Sequence, residues 1–288
     1  MVPELQPDVE RLARDLAEIG TAPLLVVTGA GISLASGIPT FRGQDPGAIW
    51  QSDLVERATH EFFQRDPAAS WSWYLARFAG LAEARPNAGH EALVALEAWQ
   101  TARGGEFLLV TQNIDTLHED AGSRRLVKVH GSADRVRCSR GGCGLGAPTG
   151  SLPRDPALFA AFAKEPLREH VPGCPDCGAP LRPHVLWFDE LYQGHDDYGF
   201  DRVLSAASEA ALFLFVGTSF SVGVTDLLVR SALGRRAPAY AVDPGGCGIP
   251  GLCSLRHPAE MLLPALCHEL GRLVAAPGPL PLEGRRSI

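Results

Sequence analysis

The sequence predicts an α/β fold, with a Rossmann-like, mostly parallel sheet, a small cysteine-rich module inserted into it, and a helical insertion. Short apolar runs that suit buried parallel strands recur along the chain. Helical patterns of apolar residues lie between several of these runs. Two close cysteine pairs fall in a segment rich in glycine and proline. With 288 residues, 45% of them hydrophobic, the chain is long enough for one large domain and a small companion.

The alternation of helices and strands starts near the N-terminus. Residues 8–19 carry apolar side chains at helical spacing, which predicts an amphipathic first helix. The predicted strands are five apolar runs, at 23–27, 107–111, 126–129, 212–216 and 239–243. A further helix is predicted at 90–100 and is closed by Gly104 and Gly105. Strands that alternate with helices favour a parallel sheet.

Two regions interrupt this alternation and are predicted to be insertions beside the sheet. Residues 43–87 mix helical and loop sequence with several aromatic residues, and residues 136–184 are rich in Gly, Pro and Cys. We therefore expect a Rossmann-type domain built from 1–135 and 185–288, with a small module at 136–184.

Charge and hydropathy argue against several classes of function. The formal net charge is -7 and no basic run stands out, which disfavours free binding to nucleic acid or to anionic membrane. No apolar run approaches the length of a membrane span. The N-terminal MVPELQPDVE lacks the apolar core of a secretory signal. We therefore expect a cytoplasmic protein with reduced cysteines.

The two cysteine pairs predict a metal site. Four residues separate Cys138 from Cys143, two separate Cys174 from Cys177, and each pair ends in Cys-Gly. Two such knuckles let four thiolates converge on a tetrahedral zinc ion. Four sulfur ligands leave no position for water, so we expect the zinc to be structural and to hold together a zinc-binding module with little core of its own. Two disulfides or free thiols are the alternatives.

Glycines and polar residues gather where the predicted strands end. They are Gly29 and Gly31, then Gln112, Asn113 and Asp115, then His130, then Gly217, Thr218 and Ser219, and finally Asp243. Ligands of parallel sheets bind at the carboxyl ends of the strands. The first two glycines would let backbone N–H groups approach a phosphate, and Asp243 could accept hydrogen bonds from an adenosine ribose. A tight strand-to-helix turn and a structural histidine are the alternatives for the glycines and for His130.

Six segments follow one another in a recognisable order. They read GAGISLASGIPTFRG, TQNIDTLH, VHGS, the two cysteine pairs, VLWFDE and VGTS. Together they span roughly residues 24–243 and resemble the sirtuin family of NAD-dependent protein-lysine deacylases. The resemblance implies NAD as a consumed co-substrate, a structural zinc ion, and acyl-lysine proteins or peptides as substrates.

The resemblance also implies roles for individual residues. His130 would be the general base, Phe41 would shield the sugar once nicotinamide has left, and Arg42 would hold the closed loop. The nicotinamide pocket would be lined by Ala30, Ser33, Gln112, Asn113 and Asp115, and the adenosine half would be held by Thr218, Ser219 and Asp243. Family members usually carry Asn where Asp243 stands.

The implied chemistry suits these residue types. The acyl oxygen attacks the sugar carbon that nicotinamide leaves, and a neutral imidazole takes a ribose hydroxyl proton. The products would be nicotinamide, free lysine and O-acyl-ADP-ribose. A mono-ADP-ribosyltransferase, which shares the cleavage step, and a non-catalytic NAD or ADP-ribose sensor are the alternatives.

A Tyr-x-x-Arg pair bears on the acyl group. Tyr74 and Arg77 are three residues apart, so on a helix they share a face. The pair resembles the one with which the desuccinylase branch grips a succinyl or malonyl carboxylate. In the alternative, Tyr74 packs among its aromatic neighbours, Arg77 is solvated, and the protein is a plain deacetylase.

The VLWFDE segment is read as strand-like and as part of the peptide site. By resemblance, its residues Val185, Leu186, Trp187 and Phe188 pair with the substrate backbone as an added strand. Asp189 stands where the family usually has Gly, which could narrow the choice of peptide or favour basic flanks.

Overall fold

The computed structural model describes residues 5–40 and 56–275, and within them nine strands form two sheets. The strands are β1 (Leu24–Thr28), β2 (Phe107–Thr111), β3 (Leu126–Lys128), β4 (Gly131–Cys138), β5 (Leu152–Pro153), β6 (Leu181–Val185), β7 (Leu212–Val216), β8 (Ala239–Val242) and β9 (Cys253–Leu255). The α-helices are α1 (Gln6–Glu18), α2 (His60–Arg65), α3 (Pro67–Glu83), α4 (Ala88–Ala102), α5 (Leu117–Ala121), α6 (Ala160–Lys164), α7 (Phe200–Glu209), α8 (Gly223–Arg235) and α9 (Ala259–Ala275).

The larger sheet is parallel throughout and has the order β3-β2-β1-β7-β8-β9. β1 and β7 lie at its centre, and every residue of both is buried. Helices cover both faces of such a sheet, which is why its strands are continuous apolar runs. The predicted α/β fold class is therefore confirmed. β9 was not predicted because its three residues, CSL, lack an apolar run.

Two apolar cores lie on opposite faces of this sheet. Val9, Leu12 and Leu16 of α1 belong to one core, together with buried residues of α4 and α9. The other core contains Val203 of α7 and Leu228 of α8. The cores hold the strands rigidly, so that the loops after their carboxyl ends have a fixed base.

The smaller sheet is antiparallel, has the order β5-β4-β6, and forms the cysteine-rich module. It extends from Gly131 to Val185, beyond both ends of the predicted range 136–184. The strand expected for VLWFDE ends at Val185. Beyond it the chain turns, because the Glu190 side chain accepts a hydrogen bond from Trp187 N at 3.0 Å and Glu190 N donates to Trp187 O at 3.0 Å.

The described part of the helical insertion contains α2 and α3. Asp66 precedes Pro67 and caps α3 by accepting a hydrogen bond from Ala69 N at 3.0 Å. Across 5–40 and 56–275, none of the helices combines the length and apolar character that a membrane crossing requires.

Candidate functional site

A cavity of about 820 Å³ lies at the carboxyl ends of β1, β2, β7 and β8. The predicted residues that line it are Gly29, Ala30, Gly31, Ser33, Tyr74, Arg77, Gln112, Asn113, Asp115, His130, Val185, Leu186, Trp187, Phe188, Gly217, Thr218, Ser219 and Asp243. Phe41 and Arg42 lie outside the described residues. Every other predicted cofactor or substrate residue therefore borders one space.

The glycines at the end of β1 pack directly against the end of β7. Gly29 N donates to Val216 O at 3.0 Å, and Gly31 N donates to Gly217 O at 2.8 Å. A Cβ on Gly31 would lie 2.6 Å from Gly217 Cα, a contact that no side chain tolerates. Both N–H groups are thus used inside the protein. This corrects the expectation that they face a phosphate, and the glycines instead provide close packing.

A buried polar network follows β2. Asn113 Nδ2 donates to Ser33 Oγ at 3.1 Å and to Gly29 O at 3.2 Å, and Ser33 Oγ donates to Asp115 Oδ2 at 3.0 Å. Burial raises the pKa of Asp115, although hydrogen bonds from Leu117 N and Ser33 oppose the shift. The network fixes three predicted nicotinamide-pocket side chains relative to one another.

His130 is oriented for proton transfer. Its Nδ1–H donates to Gln112 O at 2.8 Å, so the neutral ring carries its lone pair on Nε2. Burial lowers the pKa of His130, and the bond to the Gln112 carbonyl partly opposes this. Tyr192 stacks on the ring at 5.8 Å and places its hydroxyl 3.4 Å from Nε2. Sequence reasoning missed Tyr192, and nothing in the local pattern marks it.

His118, the other histidine near a strand end, is structural. Its Nε2 lies 2.9 Å from Thr28 Oγ1, which itself donates to Thr111 Oγ1 at 2.9 Å. His118 Nε2 must therefore be the donor. Its Nδ1 is buried and has no hydrogen-bond partner among the described atoms. Burial is the largest cause that lowers the pKa of His118 to about 3, so the ring stays neutral near pH 7.

The Tyr-x-x-Arg pair lies on α3 and lines the same cavity. Tyr74 is 3% exposed and its hydroxyl oxygen accepts a hydrogen bond from Trp187 Nε1 at 2.7 Å. The Arg77 guanidinium lies 3.6 Å from the centre of the Trp73 ring. Tyr74 does pack against aromatic neighbours, as the alternative required, yet both members of the pair line the cavity.

The backbone N–H groups of residues 186–188 are already engaged. Leu186 N donates to His130 O at 2.9 Å, Phe188 N donates to Ala58 O at 3.0 Å, and Trp187 N donates to the Glu190 carboxylate. A peptide added beside this segment would have to use carbonyl groups and side chains instead. The Asp189 carboxylate accepts from His60 N at 2.8 Å and Glu61 N at 3.2 Å, at the start of α2. Asp189 therefore anchors α2 and does not face the cavity.

The residues that follow β7 and β8 also line the cavity. Thr218 Oγ1 accepts from Gln112 Nε2 at 3.1 Å, which links the walls contributed by β7 and β2. Asp243 Oδ1 accepts from Gly245 N at 2.8 Å and holds the turn after β8. Cys247 and Ile249, which were not predicted, also line this end. They follow no recognisable motif, and the fold alone brings them here.

The four paired cysteines meet at one point. Their sulfur atoms lie within 4.8 Å of one another, with 3.5 Å between Cys138 and Cys177 and 3.7 Å between Cys143 and Cys174. Zn–S bonds of about 2.3 Å at tetrahedral angles place sulfurs about 3.8 Å apart, whereas a disulfide needs about 2.05 Å. The four thiols therefore fit a structural zinc ion.

His184, His195 and Asp197 form a second group with ligand atoms within 4.8 Å of one another. His184 Nε2 lies 3.2 Å from Asp197 Oδ2, but its Nδ1 is buried without a hydrogen-bond partner in the described structure. A metal on Nε2 would force a proton onto that isolated nitrogen, and nearby Arg137 adds positive charge. The geometry fits a hydrogen bond between His184 and Asp197, not a metal centre.

The amino-acid sequence of this chain is similar to that of known proteins. The model of the Sir2 family matches residues 29–224. An NAD-dependent protein deacylase of Thermus thermophilus is 43% identical over 220 residues, which cover 76% of this chain and 78% of the relative. One from Pyrococcus abyssi is 34% identical over 270 residues, covering 92% of this chain and 99% of the relative.

Solved structures agree with the sequence relatives. A crystal structure of a Sir2 homolog–NAD complex superposes with a TM-score of 0.75 at 32% identity, covering 92% of this chain and 94% of that one. A mutant Sir2 homologue in complex with ADP-ribose gives a TM-score of 0.75 at 31% identity, covering 92% of this chain and 98% of the other.

Proposed function

This chain belongs to the Sir2 family and is an NAD-dependent protein deacylase, and from that premise we propose that it removes acyl groups that end in a carboxylate, such as succinyl or malonyl. The observation that carries the proposal is the position of Tyr74 and Arg77 in the same cavity as His130. NAD is the co-substrate, and acyl-lysine proteins or peptides are the substrates.

The two side chains have the chemistry that a carboxylate requires. Burial raises the pKa of Tyr74 above its ordinary value, so its hydroxyl remains protonated and able to donate. Arg77 stacks one face on Trp73, and a stacked guanidinium can bind a carboxylate through its N–H edge. A tyrosine donor beside an arginine fork favours an anion over a methyl group.

The charged groups near Tyr74 and Trp187 also favour an anion. Arg137 and Arg182 are buried and share a single carboxylate, Glu190, which lies 3.1 Å from Arg137 and 2.9 Å from Arg182 Nη2. The group therefore holds two positive charges and one negative charge. In a medium of low dielectric constant, the net positive charge of the group attracts an anion that enters nearby, and Glu190, the member that lines the cavity, offsets part of this attraction.

We assign the general base of the reaction to His130. The bond from Nδ1–H to Gln112 O leaves Nε2 as the basic atom, and the lowered pKa keeps the ring neutral near pH 7. Asn113, Ser33 and Asp115 would line the nicotinamide pocket, because their hydrogen-bonded network borders the cavity between the β1 loop and His130.

The test compares succinyl-lysine and acetyl-lysine peptides of one sequence. We expect a higher kcat/KM for the succinyl peptide, and a loss of about 10- to 100-fold in Arg77→Met, which is the cost of a hydrogen bond to a charged group. The acetyl peptide should change little. Arg154 is a matched control, since it also lies over an aromatic ring, that of Phe78, but outside the residues that line the cavity.

Arg154→Met should therefore leave the succinyl-to-acetyl ratio unchanged. A wild-type enzyme that clearly prefers the acetyl peptide, together with an Arg77→Met variant of equal preference, would overturn the proposal. The protein would then be a plain deacetylase.

A further inference from the structure

We propose that Trp187 is a specificity-determining residue of this cavity, because its indole N–H fixes the Tyr74 hydroxyl as a hydrogen-bond donor toward the acyl carboxylate. The inference rests on the proposed function and adds a residue to it. The family resemblance gave Trp187 a backbone role only, as part of the segment that pairs with a peptide.

The hydrogen bond between the two side chains sets the direction of the Tyr74 proton. An indole can only donate, so the 2.7 Å bond from Trp187 Nε1 uses a lone pair of the Tyr74 oxygen. Trp187 is 2% exposed and Tyr74 is 3% exposed, so bulk water reaches neither freely. The single hydroxyl proton of Tyr74 is then directed away from Trp187, and both residues border the cavity.

This arrangement distinguishes acyl groups by what they can accept. A succinyl or malonyl carboxylate at this end of the cavity accepts the proton of Tyr74 and gains a charge-assisted hydrogen bond. An acetyl group ends in a methyl group and gains nothing. Without Trp187 the hydroxyl could rotate between accepting and donating, so part of its advantage toward an anion would be lost.

Trp187 is itself held in position by charged groups. The Arg182 guanidinium lies 3.3 Å from the centre of the Trp187 ring and is fixed by hydrogen bonds to Glu190 and to Val185 O, each at 2.9 Å. Phe63 packs on the ring at 5.4 Å. A cation over the face draws electron density from the indole and strengthens its N–H as a donor.

A double-mutant cycle tests the inference. The readout is the ratio of kcat/KM for succinyl-lysine to that for acetyl-lysine, measured in the wild type, Trp187→Phe, Tyr74→Phe and the double variant. We expect Tyr74→Phe to lower the ratio about tenfold, near the value of one charge-assisted hydrogen bond, and Trp187→Phe to lower it by a smaller factor, because the Tyr74 hydroxyl remains but is no longer held as a donor. The double variant should fall no further than Tyr74→Phe, because Trp187 acts through Tyr74.

An isosteric replacement separates the hydrogen bond from packing. β-(3-Benzothienyl)alanine at position 187 keeps the shape of Trp but replaces the N–H by sulfur. We expect the same drop in the ratio as in Trp187→Phe, with the melting temperature lowered by no more than a few degrees, the cost of one buried hydrogen bond. An unchanged ratio with this residue, or two single effects that multiply in the double variant, would overturn the inference.

The outcomes separate this inference from the proposed function. If the wild type prefers succinyl-lysine through Arg77 and the cycle is multiplicative, only the role of Trp187 is wrong. If the wild type prefers acetyl-lysine, both are wrong.

Discussion

Acidification should lower the free energy of unfolding of this protein, because the folded state buries His118 in its neutral form. The ring is 1% exposed, donates from Nε2 to Thr28, and leaves Nδ1 without an acceptor among the described atoms. A second proton would therefore place a charge in a buried site beside His90, with no acceptor for the new N–H group in the part of the chain that the structure describes. Substituting His118 with Gln retains an N–H near the position of Nε2 but cannot take up a proton.

The magnitude follows from the two pKa values. Unfolded His118 titrates near its ordinary value of 6.5, whereas the folded residue has a pKa of about 3. Between these values the unfolded state binds one more proton, so the free energy of unfolding falls as the pH falls. The slope is about 1.4 kcal/mol per pH unit, which gives about 2.7 kcal/mol by about pH 4.5. That is a large part of a total of about 5–15 kcal/mol.

Guanidinium unfolding at a series of pH values measures this effect. We expect the slope of unfolding free energy against pH to be shallower in His118→Gln than in the wild type, by about 1.4 kcal/mol per unit. Replacement of the exposed His268 by Gln is the matched control and should leave the slope unchanged. Equal slopes in the wild type and His118→Gln would show that the buried ring is protonated in the folded state, and would refute the reasoning.

Three further predictions follow from the geometry. Cys174→Ser should release one equivalent of zinc to a chromogenic chelator and unfold the small sheet, because the four cysteine sulfurs lie within 4.8 Å of one another and hold the module together. An unchanged near-UV circular dichroism spectrum would contradict this. Gly217→Ala should lower the melting temperature and weaken NAD binding in calorimetry, because its φ is 59° and a Cβ would lie 2.4 Å from Ile32 N. The acid limb of kcat/KM should lie below the ordinary histidine pKa of 6.5, because His130 must be neutral and burial lowers its pKa; a limb above that value would assign the base elsewhere.

The parallel sheet and the cysteine site could be predicted because each leaves a local pattern. Buried strands such as Leu212–Val216 read as apolar runs, and paired thiolates keep a short spacing. The polar residues after the strands could be gathered into one site because parallel strands end at the same edge. Periodicity and spacing were sufficient for these features.

The remaining features depend on contacts between distant parts of the chain. The bond from Trp187 to Tyr74 joins residues 113 positions apart, and Tyr192 reaches His130 across 62 positions. The sequence indicates a turn at Gly29 and Gly31. Their N–H groups meet backbone carbonyls because the end of β7 packs against this turn, which the local sequence does not reveal. The sequence suggested that Asp189 affects the choice of peptide, whereas in the fold its carboxylate accepts hydrogen bonds from the start of α2.

Analysis of the products formed from NAD and an acyl-lysine peptide tests the central claim most directly. Mass spectrometry of the wild-type reaction should show nicotinamide, free-lysine peptide and O-acyl-ADP-ribose in equal amounts. His130→Ala should retain its zinc and its melting temperature, and should form O-acyl-ADP-ribose at least about 100-fold more slowly, the usual contribution of a general base. Undiminished deacylation by a folded His130→Ala variant would contradict the account.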